Sequence, residues 1–445
     1  MPEARRGSYI PNSDTDSEDM LRAIEVDDLD DLFKDIPPQH RNPPLNLPPP
    51  LSELELRREM EDIASRNISL DGKMPSFLGG GRYRHYIPAA VDHIVGNPSI
   101  YTSYTPYQAE VSQGNLWATF ELQSILHNLL GNLPVVTAGH YSGATAAAEG
   151  VLMTHRMKRD RNVVMMFDDV SPEIQGVIET YCYSAGIEIS TVSANNPPEV
   201  KDNVASVVIQ NPNFFGYFRE NLAEWVETAH QAGAYVIASQ DPMACGLFKP
   251  AFEYGVDVVV GDGQPLGIPL NFGGPSYGIF ACTEEFLHAR QVPGRLVGRT
   301  KDSKGRDCVV LIMTTREQHI KRARATSNIT TNSAHNGFRM AAYLALMGSY
   351  GLNKAAELSF QKAHYAARQI DGLEDYSVLP GRFFKEFVVQ CPIEPVQVNQ
   401  KLYEAGIIGG IDVSDRIPNG LLICVTEMNT KEEIDWLVQE LAKIR

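Results

Sequence analysis

Several things are missing from this chain of 445 residues, and each absence removes a class of function. No apolar run approaches the roughly 20 residues that a helix needs to span a bilayer, so no membrane span is expected. The opening MPEARRGSYIPNSDTDSEDM lacks the apolar stretch of an export signal, which predicts a soluble protein that is not exported. Basic residues are in deficit: 39 Lys and Arg against 55 Asp and Glu leave a formal charge of −16, which repels nucleic acid and anionic membranes alike. The six cysteines (Cys182, Cys245, Cys282, Cys308, Cys391, Cys424) are scattered, giving neither a disulfide framework nor a zinc ribbon, and read as reduced thiols of a cytoplasmic protein. No GxxxxGK-S/T phosphate loop, HExxH helix or GxSxG elbow occurs, and none of the 11 histidines has a close metal-ligand spacing, so no metal is expected. Gly79-Gly80-Gly81 follows no strand and reads as a flexible turn rather than a dinucleotide fingerprint. Finally, no lysine lies between Ala251 and Thr300.

What is present suffices for a large core in two or three structural units, with 43% hydrophobic residues. Thr15 and Glu18 suggest a capping box ahead of Met20, Leu21 and Ile24, and hence a short acidic helix to about Phe33. Seven prolines between Pro37 and Pro50 make a semi-rigid extended connector. Ser52 and Glu55 form a second capping box before the helical pattern LELRREMEDIASRN. Residues 1–70 therefore read as an arm with too few apolar residues for its own core, lying on the body or on a partner subunit, or else as a solvated acidic tail.

From about Gly114 to Cys282 helical patterns alternate with short β-branched runs: VVMMF (163–167), IEISTV (187–192), VASVVIQ (204–210), AYVIAS (234–239), VDVVV (256–260) and GIFAC (278–282). Runs this apolar suit strands buried on both faces, and their alternation with helices implies a mainly parallel sheet. The fold class is α/β, with residues 71–331 as a large domain. A linking helix and a small α+β domain occupy residues 332–445, from the strand, helix, strand, helix order of its patterns.

Open α/β sheets bind ligands at the carboxyl ends of their strands, where three polar clusters fall. His140-Tyr141-Ser142-Gly143-Ala144-Thr145 precedes an alanine-rich helix. Its free N–H groups with the Ser142 and Thr145 hydroxyls suit a phosphate, or Ser142 is a plain N-cap. Gln210 to Gly216 offers amides beside aromatic faces, or is a structural turn. Ser239-Gln240-Asp241-Pro242 places a carboxylate where it could face a protonated ring nitrogen, or cap a helix.

FLGGGRYRHYIP, YTSYTPYQAEVSQGNLWATFE, NPNFFG, VGDGQPLGIPLNFGGPSYG, PGRLVG and TTREQHIKRARATSNITTN together resemble the α-subunit type of the glycine cleavage system P protein, from about Tyr9 to the C-terminus. The resemblance implies a fold type I pyridoxal phosphate enzyme with active sites at subunit interfaces. It further implies a β subunit that supplies the lysine binding the cofactor covalently, glycine as substrate, and a lipoylated H protein that accepts the aminomethyl group. A heterotetramer is expected. In the turn Gly261 to Pro269, Gln264 stands where that lysine would be, and an amide cannot form an imine. Lys249 precedes the strand leading into the turn, and Lys301 and Lys304 lie in the charged stretch KDSKGRD. No covalent cofactor is therefore assigned to this chain. His140, Ser142, Asp241 and Gln264 would line a vestigial pocket. Two loops are candidates to reach the partner's site: Tyr104, Thr105, Tyr107 and Gln108 toward substrate, and Thr326, Ser327 and Asn328 toward the partner's cofactor phosphate. Against these, the tyrosines would fill an apolar interface and the TSN triplet would cap a helix near Asn332. A purely structural or regulatory partner, or an autonomous enzyme using Lys249 or Lys301, are the rival readings.

Overall fold

The apolar runs of the middle third assemble into one seven-stranded sheet: β1 (Val135–Val136), β2 (Val163–Phe167), β3 (Glu188–Val192), β4 (Val204–Gln210), β5 (Tyr235–Ser239), β6 (Val258–Asp262) and β7 (Gly278–Cys282). A computed structural model describes residues 12–41, 43–68, 74–101, 108–195, 197–312, 318–329 and 333–445. The spatial order is β1-β7-β6-β5-β4-β2-β3. β3-β2, β2-β4, β4-β5 and β5-β6 pair in parallel. β7 returns without a crossover helix and pairs antiparallel with β6 and β1, as strands joined by a non-crossing connection do. β2, β5 and β7 are buried along their whole length. β3, whose apolar run suggested the same, is an edge strand that buries none of its residues fully.

Parallel pairing brings Gln210, Ser239 and Asp262 to the same edge of the sheet, where β4, β5 and β6 end side by side. Facing that edge, the helix Gly143–Met157 buries every residue from Gly143 to Val151. Its run of Gly, Ala and Thr permits this close approach: a Cβ on Gly143 would lie 2.8 Å from the backbone nitrogen of Asp262.

A second core forms around an antiparallel sheet, β10 (Ser377–Val378), β11 (Glu386–Gln390), β12 (Ile411–Asp412) and β13 (Gly420–Cys424), in the order β10-β11-β13-β12. Helices Pro395–Glu404 and Lys431–Leu441 pack on it through Val398, Leu402, Ile434 and Leu437. One long helical element, Ala334–Asp371, gives Met340 and Tyr343 to the first core and Ala363 and Ile370 to the second. It is broken at Gly348, whose φ of 60° and ψ of −172° leave the helix. Lys301 and Lys304 belong to a hairpin, β8 (Leu296–Lys301) with β9 (Asp307–Ile312), Lys301 ending the first strand and Lys304 lying in the turn.

By contact the chain divides into two compact units, Met1–Ile68 and Ser69–Arg445. In the first, the capping box belongs to Ser13 and Asp16 rather than Thr15 and Glu18, and the helix stops at Ala23. A separate 3₁₀ turn, Leu29–Phe33, follows behind an Asp28 cap. Ser52 and Glu55 cap the helix Glu53–Ser65 as their spacing predicts. Neither helix buries a residue, and Leu45, Leu47 and Leu54 are exposed. Among the described residues no helix is long and apolar enough to cross a membrane.

Candidate functional site

A cleft of about 70 Å³ opens at the carboxyl ends of β4, β5 and β6, closed on the opposite side by the start of β11 and by residues 81–83. Ligand pockets generally begin at roughly 300 Å³, so the cleft is largely filled, and by the protein's own charged side chains.

Asp241, just past β5, accepts a hydrogen bond from its neighbour's turn, Met243 N, at 3.0 Å through one carboxylate oxygen. Through the other it pairs with Lys385 Nζ at 2.7 Å. Lys385 is 1% exposed and comes from the second sheet, immediately before β11. Its ammonium also donates to His85 Nε2 at 2.9 Å and lies 3.5 Å from the centroid of the Tyr83 ring. Because an ammonium only donates, His85 accepts on Nε2 and so carries its proton on Nδ1, which donates to Glu427 Oε2 at 2.7 Å. Burial pushes the Glu427 carboxyl up, but His85 and the Tyr86 N–H outweigh it and hold it down at about 2.

Beside Lys385, Glu386 accepts from the Gly80 N–H at 2.6 Å and from the Tyr83 hydroxyl at 2.7 Å. Its carboxyl is raised, chiefly by burial. This contact corrects the expectation of a flexible glycine turn. A Cβ on Gly79 would lie 2.2 Å from Glu386 Oε1, and Gly80 has a φ of +69°, so the run is a packed contact that needs glycine.

Gln264 is 5% exposed and its amide is engaged on both ends. The oxygen accepts from Tyr83 N at 2.8 Å, and the nitrogen donates to Tyr83 O at 2.8 Å and to Ile268 O at 3.0 Å. The side chain thus pairs with the Tyr83 backbone as a neighbouring strand would. Asp262, at the end of β6, accepts the Gly143 N–H at 3.0 Å. It also accepts from Gln264 N at 2.9 Å and from the Ser276 hydroxyl, with Arg82 Nη1 at 3.6 Å.

Ser142 caps its helix, accepting from Thr145 N at 3.2 Å. The carboxylate at the first N–H groups belongs to Asp262, a residue the sequence motif did not single out. His140 does not line the cleft: its backbone bridges to Gly278, and its buried ring packs on Phe280 at 5.1 Å. The Gln210 to Gly216 segment is a structural turn with Gln210 and Asn213 on the cleft wall: the Asn213 side-chain oxygen Oδ1 accepts from Phe215 N and Tyr217 N. Lys249 is half-exposed beside Glu253, and Lys301 and Lys304 are exposed.

Of the loop residues, Tyr104, Thr105 and Tyr107 lie outside the described residues, and Gln108 is exposed ahead of the turn Ala109–Val111. The 324–328 segment docks on its own chain. Ser327 donates to the buried Glu149 at 2.7 Å and its hydroxyl accepts from Ile329 N at 3.0 Å, while Asn328 meets Tyr181 at 3.3 Å. It does not cap the following helix, which begins after Ser333. The buried Thr326 hydroxyl has no hydrogen-bond partner among the described residues.

Sequence reasoning missed Lys385, Glu386, Tyr83, His85 and Glu427. The available signal was FKEFVV, a Lys-Glu pair inside an otherwise apolar strand run.

The sequence model of the glycine cleavage system P-protein matches residues 7–441. The chain is 43% identical to a protein of Thermomicrobium roseum described as "probable glycine dehydrogenase (decarboxylating) subunit 1", over 97% of this chain and 98% of that one. It is 42% identical to the protein of the same description from Moorella thermoacetica, again over 97% and 98%. Among solved structures, a glycine decarboxylase (P-protein) of the glycine cleavage system in inhibitor-bound form superposes with a TM-score of 0.93 at 38% identity, covering 98% of this chain and all of that one. A cysteine desulfurase of Escherichia coli matches at a TM-score of 0.58 and 15% identity over 80% of this chain and 91% of that one, a likeness of fold alone.

Proposed function

The chain belongs to the glycine cleavage system P-protein family and has its fold type I architecture, and from that premise we propose that it is the lysine-free subunit of a heteromeric glycine dehydrogenase (decarboxylating). In this reading a partner subunit binds pyridoxal phosphate through its own lysine, so the electron sink for loss of carbon dioxide from glycine sits there. The aminomethyl group passes to a lipoylated H protein, and the assembly is a heterotetramer. The present chain completes the partner's site across the interface.

The observation that carries this reading is Gln264. At the turn where a fold type I enzyme needs an amine, its amide is hydrogen-bonded to Tyr83 and Ile268, and the lysine that does line the cleft is paired with Asp241. A contribution to the reaction must then come from outside the cleft. Thr326, with Ser327 and Asn328, would reach the partner's cofactor phosphate once the segment shifts on assembly, since the Thr326 hydroxyl is enclosed by its own chain with no hydrogen-bond partner among the described residues. Tyr104, Thr105, Tyr107 and Gln108 would face the substrate. The arm, 1–70, with its exposed leucines, would lie on the partner, ahead of a large domain at 71–331 and a small one at 332–445.

The test is reconstitution with a lysine-bearing subunit. Thr326→Ala and Tyr107→Phe are expected to lower the kcat of glycine decarboxylation about tenfold, the scale of one ordinary hydrogen bond's net contribution, with association unchanged in sedimentation velocity. Wild-type rates for both variants would assign the chain a structural part instead.

A further inference from the structure

We propose that this chain's own side chains stand in for the cofactor at its points of contact, and that Lys385 is the residue that prevents the cleft from taking a phosphorylated pyridine. The proposal rests on the reading above, in which the covalent cofactor belongs to the partner.

A pyridoxal phosphate site of this fold has three requirements: a carboxylate facing the protonated ring nitrogen, an amine for the aldehyde, and free N–H groups at a helix start for the phosphate. The first is present and already used. Asp241 holds a cation, but the cation is Lys385 at 2.7 Å, seated under the Tyr83 ring and hydrogen-bonded to His85. A pyridinium cannot reach Asp241 without displacing an ammonium that has three partners. The second is an amide locked to the Tyr83 backbone. The third is met internally, because the Gly143 N–H donates to Asp262. The helix start and the β6 end are also in near contact there, as the 2.8 Å from an ideal Gly143 Cβ to Asp262 N shows. A phosphate there would meet a carboxylate that weakens its hold, whereas Lys385 occupies the place of the ring itself at Asp241. The residues present therefore do not fit the group.

A lysine in such a cleft invites the opposite reading, an amine ready to attack an aldehyde. Its position argues against this. Lys385 sits at the carboxylate that would face the ring nitrogen, and the carbon bearing the aldehyde lies across the ring from that nitrogen. Attack also needs a neutral amine, whereas this one is paired with Asp241 and donates to His85. Instead Lys385 ties the second sheet to the end of β5, a link that a bound ring would otherwise make.

Pyridoxamine 5′-phosphate separates the possibilities, because it has the ring and phosphate but no aldehyde. The full chain would be titrated by equilibrium dialysis. Wild type is expected to show no saturation up to about 1 mM, and Lys385→Ala to bind at least about tenfold more tightly than that limit. Lys385→Arg keeps the cation and should behave as wild type. Should Lys385→Ala not fold with Asp241 left unpaired, Asp241→Asn/Lys385→Ala removes both charges of the pair, and should also bind saturably because the Asn carbonyl can still accept from a ring N–H. Saturable binding by wild type overturns the proposal, as does the lack of any gain in a folded variant. Either failure leaves the partner's covalent cofactor untouched, since that assignment falls only to a lysine of this chain trapped on pyridoxal phosphate.

Discussion

Around the cleft, Asp241, Asp262 and Lys385 on its wall and Gln264 beside it are joined to one another's segments and to Tyr83, His85 and Gly143 by charged or paired hydrogen bonds. In the 324–328 segment, Ser327 and Asn328 hold partners in their own chain, while Thr326 keeps a buried hydroxyl with none among the described residues. The two regions show opposite economies of polar groups. Where the fold builds a cofactor site, this chain has satisfied the site internally and made it part of the core. In the 324–328 segment, it retains a hydroxyl with no partner among the described residues. Residues in the first region should therefore govern stability, and residues in the second should govern activity of the assembled enzyme.

The largest expected effect follows from removing Lys385. Breaking a buried ion pair from one side costs about 3–5 kcal/mol, so Lys385→Ala should lose that much in urea unfolding, and a loss under about 1 kcal/mol would show that the pair does not hold the cleft. Gln264→Lys comes next. It removes three hydrogen bonds and places an ammonium against the Tyr83 backbone, a cost of about 2–4 kcal/mol. It should not restore a cofactor site, because Lys385 still occupies the place of the ring at Asp241; a borohydride-stable pyridoxal label at position 264 would contradict the filled-cleft account.

A smaller effect is expected at acid pH. Glu427 has a folded value of about 2, below its ordinary 4.5. Its contribution to stability is thus present above about 4.5 and lost as the pH falls toward 2. Glu427→Gln should lower neutral-pH stability by about 2 kcal/mol and flatten the acid limb between those values; an unchanged acid limb would remove the carboxylate from the network. The smallest stability effect belongs to Thr326→Ala, expected to stay within about 0.5 kcal/mol of wild type, because no hydrogen bond among the described residues is lost. A large destabilisation there would place Thr326 with the cleft residues and erase the contrast.

The central sheet was legible because strands covered on both faces need continuous apolar runs, and VVMMF, VASVVIQ and GIFAC show them. Such runs do not distinguish an edge strand, so Glu188–Val192 was expected to be buried and is at most partly so. Asp241 could be located in sequence because it directly follows a strand end, and Gln264 through the resemblance of its turn to the family's lysine-bearing one. Their partners could not. Lys385 lies 300 positions from His85, and no spacing rule connects residues that only the packing of two sheets brings together. The error at His140 has the same origin: adjacency to Ser142 suggested a shared pocket, but the Gly278 bridge turns it toward β7.

The central claim, that the cleft of this chain has no amine for the cofactor and the partner supplies one, is tested most directly by reducing the reconstituted complex with borohydride in the presence of pyridoxal phosphate and mapping the labelled peptides. The account predicts label on one lysine of the partner subunit and none on this chain. Stoichiometric label on any lysine here, Lys385 above all, would contradict it.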